Sequence, residues 1–209
     1  MTCPLCSSSA CRENYRMNKR RFFLCPACGL IFVPAEDHLS PEEELLRYAL
    51  HDNTPGHEGY NRYFAELMQV IIDRGPAGAI LDFGSGRSAV LTGLLNYRGY
   101  SCTAYDPLYG IGIDAVDATY DRVILSEVIE HVRDLPGEIT LLGKVTRPSG
   151  EIVMRTKIYP SVEDFAGWWY KNDTTHVNFF SHGAMEILAG RLGRIAEMTA
   201  PDIFVLAPP

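Results

Sequence analysis

Two Cys-x-x-Cys pairs near the start of the chain constrain its fold more than any other feature. Cys3 and Cys6 form the first pair and Cys25 and Cys28 the second, with 18 residues between the pairs. Each pair lets two thiolates reach one metal ion from a tight turn, so together they predict a closed tetrahedral site that suits zinc. A closed site has no open position for a reacting group, and about 30 residues bury too little core to fold unaided. We therefore expect a structural zinc ion.

The remaining cysteines and the first residues indicate the cellular compartment in which we expect the protein. Cys11 and Cys102 follow no ligand spacing, so we interpret them as ordinary thiols. The first residues lack the basic and apolar regions of a signal peptide, and no apolar run approaches the roughly 18 residues that span a bilayer. Clustered cysteines in such a chain favour metal over disulfides, so we expect a cytoplasmic protein without membrane contact. A redox dithiol would explain one cysteine pair but not two.

Charge is unevenly distributed along the 209 residues, whose formal net charge is −7. Residues 1–33 carry five basic residues against one acid, which gives +4, whereas residues 34–60 carry −6 and residues 61–209 carry −5. With the cysteine spacing, this division predicts a zinc ribbon at 1–33, called the head below, a helical connector at 34–59 and a body at 60–209.

The charge of the body disfavours nucleic acid as the substrate, because phosphate backbones attract basic surfaces. The basic head keeps an RNA contact open as an alternative, in which its cations would grip the phosphates. The cations proposed for that contact are Arg16, Lys19, Arg20 and Arg21.

Two helices are predicted in and after the connector. Ser40-Pro41-Glu42-Glu43 has the form of a capping box with proline at the first helical position. Asn53-Thr54-Pro55-Gly56 then breaks the chain. Apolar residues at helical spacing follow from Tyr60 to Ile71 and predict an amphipathic helix that packs on a sheet. Tyr60, near the start of this helix, is a candidate for ligand contact.

The body begins with a strand, a glycine turn, a helix and a second strand. The apolar run 79–83 is followed by Gly84-Ser85-Gly86, a helical stretch from Arg87 to Tyr97 and a second apolar run that ends before Asp106. This order predicts a doubly wound α/β fold whose glycines let the backbone approach a ligand. Asp106 follows the turn by about 20 residues, the spacing of an acid that binds a ribose diol.

The glycine pattern distinguishes between two nucleotide ligands. A dinucleotide pyrophosphate favours a third glycine, and Ala89 stands at that position. Asp82, just before the turn, places a carboxylate near the ligand, which disfavours a pyrophosphate but suits an ammonium and a sulfonium. The turn therefore fits S-adenosylmethionine (SAM) better than NAD.

Three stretches in order resemble class I SAM-dependent methyltransferases, and the resemblance covers about residues 60–209. They are Leu81-Asp82-Phe83-Gly84-Ser85-Gly86, Tyr105-Asp106-Pro107 and the run from Asp121 to Val132. The resemblance implies a Rossmann-like fold and a SAM pocket lined by Asp82, Gly84 and Gly86, with Asp106 on the ribose hydroxyls. It also implies contacts from Ser126 and Glu127, which follow the fourth strand.

The resemblance also indicates where this chain departs from the family. Only 14 residues separate Asp106 from Asp121, where the family fits a helix and a strand. We expect a short strand at Ile113 to Val116 and a vestigial helix, and either Asp114 or Asp117 as the acid beside adenine. Residues 194–206 are expected to form the closing antiparallel hairpin of the family.

Acidic and imidazole side chains follow the predicted fourth strand. Glu127, Glu130 and His131 have the spacing i, i+3, i+4, which would place them on one helical face. Carboxylates and imidazoles can hold a divalent cation, so a second metal ion at these residues is one hypothesis. The cluster is similar to that of metal-dependent small-RNA 3′-end methyltransferases and some quinone O-methyltransferases, whose downstream histidine His176 would match. Many methyltransferases without a metal share the pattern, so a pocket-lining role stays open.

Methyl transfer from a sulfonium is an in-line displacement, which mainly requires alignment of donor and acceptor. An oxygen or nitrogen acceptor also needs a base for its proton, and the candidates are Glu127, His131 and His176. Seven of the 22 aromatic residues, with both tryptophans, lie between Ile158 and Phe180. This density predicts a lid over a flat or apolar acceptor, with packing of a long loop on the core as the alternative.

Three functions are compatible with these patterns. The first is a SAM-dependent methyltransferase acting on O, N or C of a small molecule, which the acidic body and aromatic segment favour. The second is an rRNA or tRNA methyltransferase that uses the basic head. The third is a non-catalytic SAM-binding scaffold, which the intact turn and acid pattern disfavours.

Overall fold

The computed structural model describes residues 1–48 and 58–209, and for residues 58–63 the description is limited to the backbone. Three strands form in the head: β1 (Arg12–Met17), β2 (Arg20–Leu24) and β3 (Ile31–Phe32). The later strands are β4 (Ala79–Phe83), β5 (Ser101–Tyr105), β6 (Tyr120–Ser126), β7 (Thr146–Arg155), β8 (Asn178–Phe179), β9 (Ile195–Ala200) and β10 (Ile203–Ala207). The α-helices are α1 (Pro41–Tyr48), α2 (Glu58–Asp73), α3 (Val90–Tyr97), α4 (Leu135–Val145) and α5 (His182–Arg191).

A six-stranded sheet in the order β5-β4-β6-β7-β10-β9 forms the centre of the body. Strands β5, β4, β6 and β7 are parallel, whereas β10 is antiparallel to both β7 and β9. The predicted doubly wound α/β class and the closing antiparallel hairpin are both confirmed.

Helices cover both faces of this sheet, as the alternation along β6 shows. Val123 and Leu125 belong to one buried cluster with α4 and α5, and Ile124 belongs to a second with α2 and α3. The predicted stripe on α2 is buried in the second cluster through Phe64, Leu67, Met68 and Ile71. Each such side chain contributes about 1.5–3 kcal/mol by leaving water, so the sheet is stabilised from both sides.

The expected strand at Ile113 to Val116 is wrong. These residues form a short 3-10 helix, Ile113–Asp117, and Ile113 is exposed. Asp106 and Ile111 exchange two backbone hydrogen bonds of 2.9 Å, which turns the chain back immediately after β5. The segment is therefore too short to return and pair with the edge of the sheet.

Helix α3 begins three residues later than predicted, at Val90 rather than Arg87. Ala89 has a left-handed backbone, with φ of 42°, so the turn extends through it. The carboxylate of Asp82 accepts hydrogen bonds from the N–H and hydroxyl of Thr92, at 3.1 and 2.7 Å. These bonds fasten the first turn of α3 to the end of β4.

Strand pairing joins the head to the body. A second sheet has the order β1-β2-β3-β8, in which β3 of the head pairs antiparallel with β8 of the body. Buried side chains of both parts pack together around this sheet; they are Phe22, Leu24, Ile31, Val33, Tyr159, Phe165, Tyr170, Val177 and Phe179. The aromatic segment therefore packs against the head, and the domain boundaries at residues 33 and 59 stay predictions.

We expect Gly84→Ala to destabilise the protein more than Gly86→Ala. Both glycines have positive φ, 75° and 69°, so an alanine at either position costs about 1–2 kcal/mol in backbone strain. A Cβ on Gly84 would also lie 2.5 Å from Cγ2 of Val128, whereas one on Gly86 would meet no described atom within 4 Å. Thermal unfolding of the two variants measures the difference.

The double variant Gly84→Ala/Val128→Ala is the control for the steric part, because it removes the methyl groups that the new Cβ meets. It should be more stable than Gly84→Ala alone. Equal losses of stability for Gly84→Ala and Gly86→Ala would contradict the packing of Val128 on this turn.

Candidate functional site

The carboxyl ends of β5, β4, β6 and β7 meet at one edge of the sheet, and the turn after β4 crosses this edge. The N–H groups of Gly84 and Ser85 both donate to the carbonyl of Tyr105, at 2.8 and 3.1 Å. These bonds tie the turn to the end of β5. Gly84 and Gly86 supply the positive φ angles that this path requires.

Asp106 closes the same turn from the side of β5. Its Oδ2 accepts from the N–H of Gly86 at 2.8 Å, and its Oδ1 accepts from the N–H groups of Leu108 and Tyr109 at 3.0 and 3.3 Å. The residue is buried. Its carboxylate therefore shapes the glycine turn, and a contact with ribose hydroxyls stays a prediction.

Asp82 lies beneath the turn and is also buried. Burial raises its pKa to about 6, and the hydrogen bonds from Thr92 counter part of that rise. Its carboxylate holds α3, and a contact of Asp82 with the cofactor stays a prediction.

The other predicted cofactor contacts lie around this edge. Ser126 ends β6, and its buried hydroxyl makes no hydrogen bond within the described part of the chain. The side chain of Tyr60 lies outside the described residues. Asp114 and Asp117 are both exposed, and Asp117 lies 3.6 Å from the Lys144 ammonium, so a role beside adenine stays a prediction for both.

Glu127 begins the segment that follows β6. Its φ of 55° is left-handed, which is uncommon for a residue other than glycine and is often found at functional sites. Its N–H donates to the Arg155 carbonyl at 2.9 Å, which holds the segment to the end of β7. The next residues form a 3-10 helix, Ile129–His131, so the expected i, i+3, i+4 helical face is wrong.

The hydroxyl of Tyr170 lies between two carboxylates. It is 2.8 Å from Oε2 of Glu127 and also in hydrogen-bond contact with Oε1 of Glu130. A hydroxyl carries one proton and donates one hydrogen bond, so a proton on one of the two carboxyl groups completes the arrangement. Burial raises the pKa of Glu130 well above its ordinary value, and the charge of Glu127 raises it further.

Two histidines flank Glu130. Nδ1 of His176 lies 2.8 Å from the Tyr170 carbonyl, which fixes the ring and favours a proton on that nitrogen. The ring centroid of His131 is 4.6 Å from that of His176, and the ring of Tyr48 packs on His131 at 5.4 Å. The N–H of Val177 donates to the Glu130 carbonyl at 2.7 Å, which holds the two segments together.

Glu130, His131 and His176 offer three ligand atoms that lie within 4.8 Å of one another, a geometry that can hold a metal ion. The structure thus brings His176, the match that the resemblance implied, together with Glu130 and His131, whereas Glu127 lies outside these three ligand atoms. Glu127 is instead linked to the group through the hydroxyl of Tyr170. This difference arises because the chain turns at Glu127 before the 3-10 helix begins.

Tyr170 is the main site residue that sequence reasoning missed. It belongs to the aromatic segment 158–180, but nothing in its spacing separates it from its neighbours. Most aromatics of this segment are buried, several of them against the head, and Trp168 is partly buried there. Trp169, by contrast, has 63% of its surface exposed. The packing interpretation therefore holds for most of the segment, and the role of a lid stays a prediction.

The four paired cysteines converge in the head. Sγ of Cys3 lies 3.6 Å from that of Cys28, and Sγ of Cys6 lies 3.5 Å from that of Cys25. A tetrahedral zinc ion with bonds of about 2.3 Å separates its sulfurs by about 3.8 Å, so the thiols fit such an ion. Cys11 lies outside this set, and its thiol contacts the Ser8 carbonyl.

Among the described helices, none combines the length and apolar character that crossing a bilayer requires.

Solved structures resemble this chain at low sequence identity. One is the 1,6-didemethyltoxoflavin N1-methyltransferase of Burkholderia thailandensis with bound 1,6-didemethyltoxoflavin and S-adenosylhomocysteine (SAH). It is 14% identical, with a TM-score of 0.54, over 93% of this chain and 98% of that one. The pyocyanin biosynthetic protein PhzM is 15% identical, with a TM-score of 0.53, over 72% of this chain and 56% of that one.

A third structure is the O-methyltransferase NcsB1 from neocarzinostatin biosynthesis, which is 16% identical with a TM-score of 0.49 over 63% of this chain. The chain spans about half the length of NcsB1 and of the mitomycin 7-O-methyltransferase MmcR, which it also resembles. No curated protein sequence matches the chain.

A family model described as a methyltransferase domain matches residues 45–193, which include the glycine turn, Asp106 and the Glu127–His131 segment. This match covers well over half of the chain and agrees with the observed sheet order. The chain therefore belongs to the methyltransferase domain family and has the class I methyltransferase fold.

Proposed function

We propose that this enzyme transfers a methyl group from SAM to an oxygen, nitrogen or carbon atom of a small molecule. The observation that carries the proposal is the group formed by Glu127, Glu130, His131, Tyr170 and His176, of which Glu130, Tyr170 and His176 are buried; it is called the buried group below. Val128, which follows Glu127 directly, packs on Gly84, so the segment that carries Glu127, Glu130 and His131 adjoins the glycine turn. Donor and acceptor sites would thus adjoin at the carboxyl edge of the sheet.

The residues at the turn fit SAM. Among the described residues, no atom lies within 4 Å of a Cβ placed on Gly86, and none makes a hydrogen bond with the buried hydroxyl of Ser126. Asp82, Gly84, Gly86, Asp106 and Ser126 would line the pocket. When bound, SAM supplies a sulfonium-activated methyl group, and the protein aligns the acceptor with it and excludes water.

The buried group can take a proton from the acceptor. A proton on Nδ1 of His176 leaves the lone pair on Nε2, which suits a general base. Glu127 and His131 are the other candidates. A divalent cation at Glu130, His131 and His176 would instead lower the pKa of an acceptor hydroxyl, and we include this cation as the second form of the proposal.

The contacts of the basic head favour a small molecule over RNA. Arg16 pairs with Glu13 at 2.8 Å, and Arg21 pairs with Asp37 at 2.8 Å. Arg20 donates to backbone carbonyls of the body rather than facing solvent. Few cations of the head are thus left for phosphates. The toxoflavin relative, which has the same extent as this chain, binds a small heteroaromatic molecule.

The cofactor site is tested by calorimetry with SAH. We expect Asp106→Ala to weaken SAH binding by about tenfold or more. The ribose hydroxyls of SAH would lose their hydrogen bonds to the Asp106 carboxylate, which are worth about 1.5–3 kcal/mol. Asp73→Ala is the matched control, since Asp73 lies at the end of α2 and contacts Gln69. Unchanged SAH affinity in Asp106→Ala would show that the cofactor is placed wrongly.

The acceptor class is tested with radiolabelled SAM. We expect label to enter the small-molecule fraction of a cell extract and not its tRNA or rRNA, and the variant His131→Ala/His176→Ala to lose most of this activity. Methylation of RNA at physiological salt would overturn the small-molecule proposal. Tight SAH binding with no labelled product from either fraction would favour the scaffold.

The same assay separates the two forms of the proposal. If the buried group holds a divalent cation, a chelator abolishes transfer, Mn²⁺ restores it, and Glu130→Gln raises the Mn²⁺ concentration that is needed. If the group acts only as a base, the chelator leaves the rate unchanged.

We further propose that the four cysteines bind one structural zinc ion. We expect about one zinc per chain by metal analysis, loss of that zinc in Cys3→Ser, and a lower midpoint of thermal unfolding. Cys11→Ser is the control, because Cys11 lies in the same head but outside the four-thiol set. Full folding of Cys3→Ser without zinc would remove the structural role.

A further inference from the structure

We infer that Arg20 is a positioning residue for the methyl-acceptor site, which rests on the proposed function of that site. Arg20 belongs to the head, whereas the groups it would position, Tyr170 and His176, belong to a loop of the body. The head would then act as part of the framework of the acceptor site and not as an RNA-binding module.

The guanidinium of Arg20 holds three carbonyl groups of one loop. Nη1 donates to the carbonyl oxygens of Lys171 and Asp173 at 3.0 and 3.1 Å, and Nη2 donates to that of His176. Lys171 and Asp173 lie one and three positions after Tyr170, and the third carbonyl is that of His176 itself. A planar fork with five N–H donors suits such a cluster of acceptors, whereas a lysine ammonium is a point charge on a flexible stem.

Packing holds the guanidinium in place. It lies over the ring of Phe22, with its carbon 4.9 Å from the ring centroid, and Phe22 is fully buried between head and body. Burial lowers the pKa of Arg20 to about 10, so the group stays charged at neutral pH, and Asp173 and Asp37 partly offset the burial. The charge therefore strengthens its bonds to the carbonyl oxygens.

The loop in turn fixes the positions of the groups proposed to react. The carbonyl of Tyr170 faces Nδ1 of His176, and the hydroxyl of Tyr170 bridges Glu127 and Glu130. A shift of the loop would therefore move the base and the hydroxyl together. Displacements of about 1 Å in such groups can cost about 100-fold in rate, so the loop needs a rigid support.

None of the hydrogen bonds that Arg20 makes in the described structure reaches the glycine turn, since they all join the loop 171–176. Loss of Arg20 should consequently leave cofactor binding intact. This separation distinguishes a positioning role from a general loss of stability.

The test is hydrogen exchange and kinetics on Arg20→Ala in the full chain. We expect the amide of Val177, which donates to the Glu130 carbonyl, to exchange about tenfold faster or more, while amides of β1 and β2 keep their rates. We expect kcat to fall about tenfold or more, with KM for SAM and SAH affinity changed less than about twofold. Lys19→Ala, at the exposed neighbouring position, should match the parent protein.

Rescue provides the second measurement. Guanidinium ion at concentrations below denaturation should restore slow exchange at Val177 and raise kcat in Arg20→Ala, but not change Lys19→Ala. Arg20→Lys keeps the charge and should fall between the parent and Arg20→Ala, because one ammonium cannot match the three carbonyls. If Arg20→Ala does not fold, the same exchange, kcat and SAH measurements are made on Arg20→Lys and compared with the parent protein.

Three outcomes would overturn the inference: unchanged exchange at Val177, equally faster exchange throughout the head, or loss of SAH binding together with the loop. Exchange and SAH binding need no methyl acceptor. If the parent protein methylates no small molecule, the proposed function fails, while the exchange data still decide whether Arg20 holds the loop.

Discussion

The pairing of β3 with β8 is the interaction on which the proposed acceptor side of this molecule depends. It joins a cysteine-bearing head to a loop near the end of the chain, so that two parts of modest size share one sheet and one aromatic core. Arg20 extends this junction to the carbonyls around Tyr170 and His176. The metal site, if it stabilises the head, thereby supports the site in the body.

The acceptor side also concentrates buried charge. Glu130 is fully buried beside Glu127, and their shared partner Tyr170 can donate only one proton. Such an arrangement is costly unless a proton, a cation or an acceptor hydroxyl completes it. Such a cost is expected at a site that exchanges protons with a ligand, as the proposed function requires, and the left-handed backbone at Glu127 agrees with it.

Much of the fold follows from local patterns that a single sequence carries. The order of strand, glycine turn, helix and strand, the stripe on α2 and the paired cysteines all depend on neighbours in the chain. Ile113–Asp117 and the start of α3 were predicted wrongly, because a two-bond turn after β5 and a left-handed Ala89 decided them. Arg20 and Tyr170 could not be assigned, since their roles depend on partners far away in sequence.

The packing of Val128 on Gly84 has a consequence for how strongly the binding of cofactor and acceptor would be coupled. Because these residues are in contact, a movement of the glycine turn displaces the side chain of Val128 in the segment from Glu127 to His131. A ligand that rigidifies the turn therefore also restricts the acceptor groups, and the free energies of the two binding events are linked. By reciprocity, the factor by which the cofactor changes acceptor affinity equals the factor by which the acceptor changes cofactor affinity.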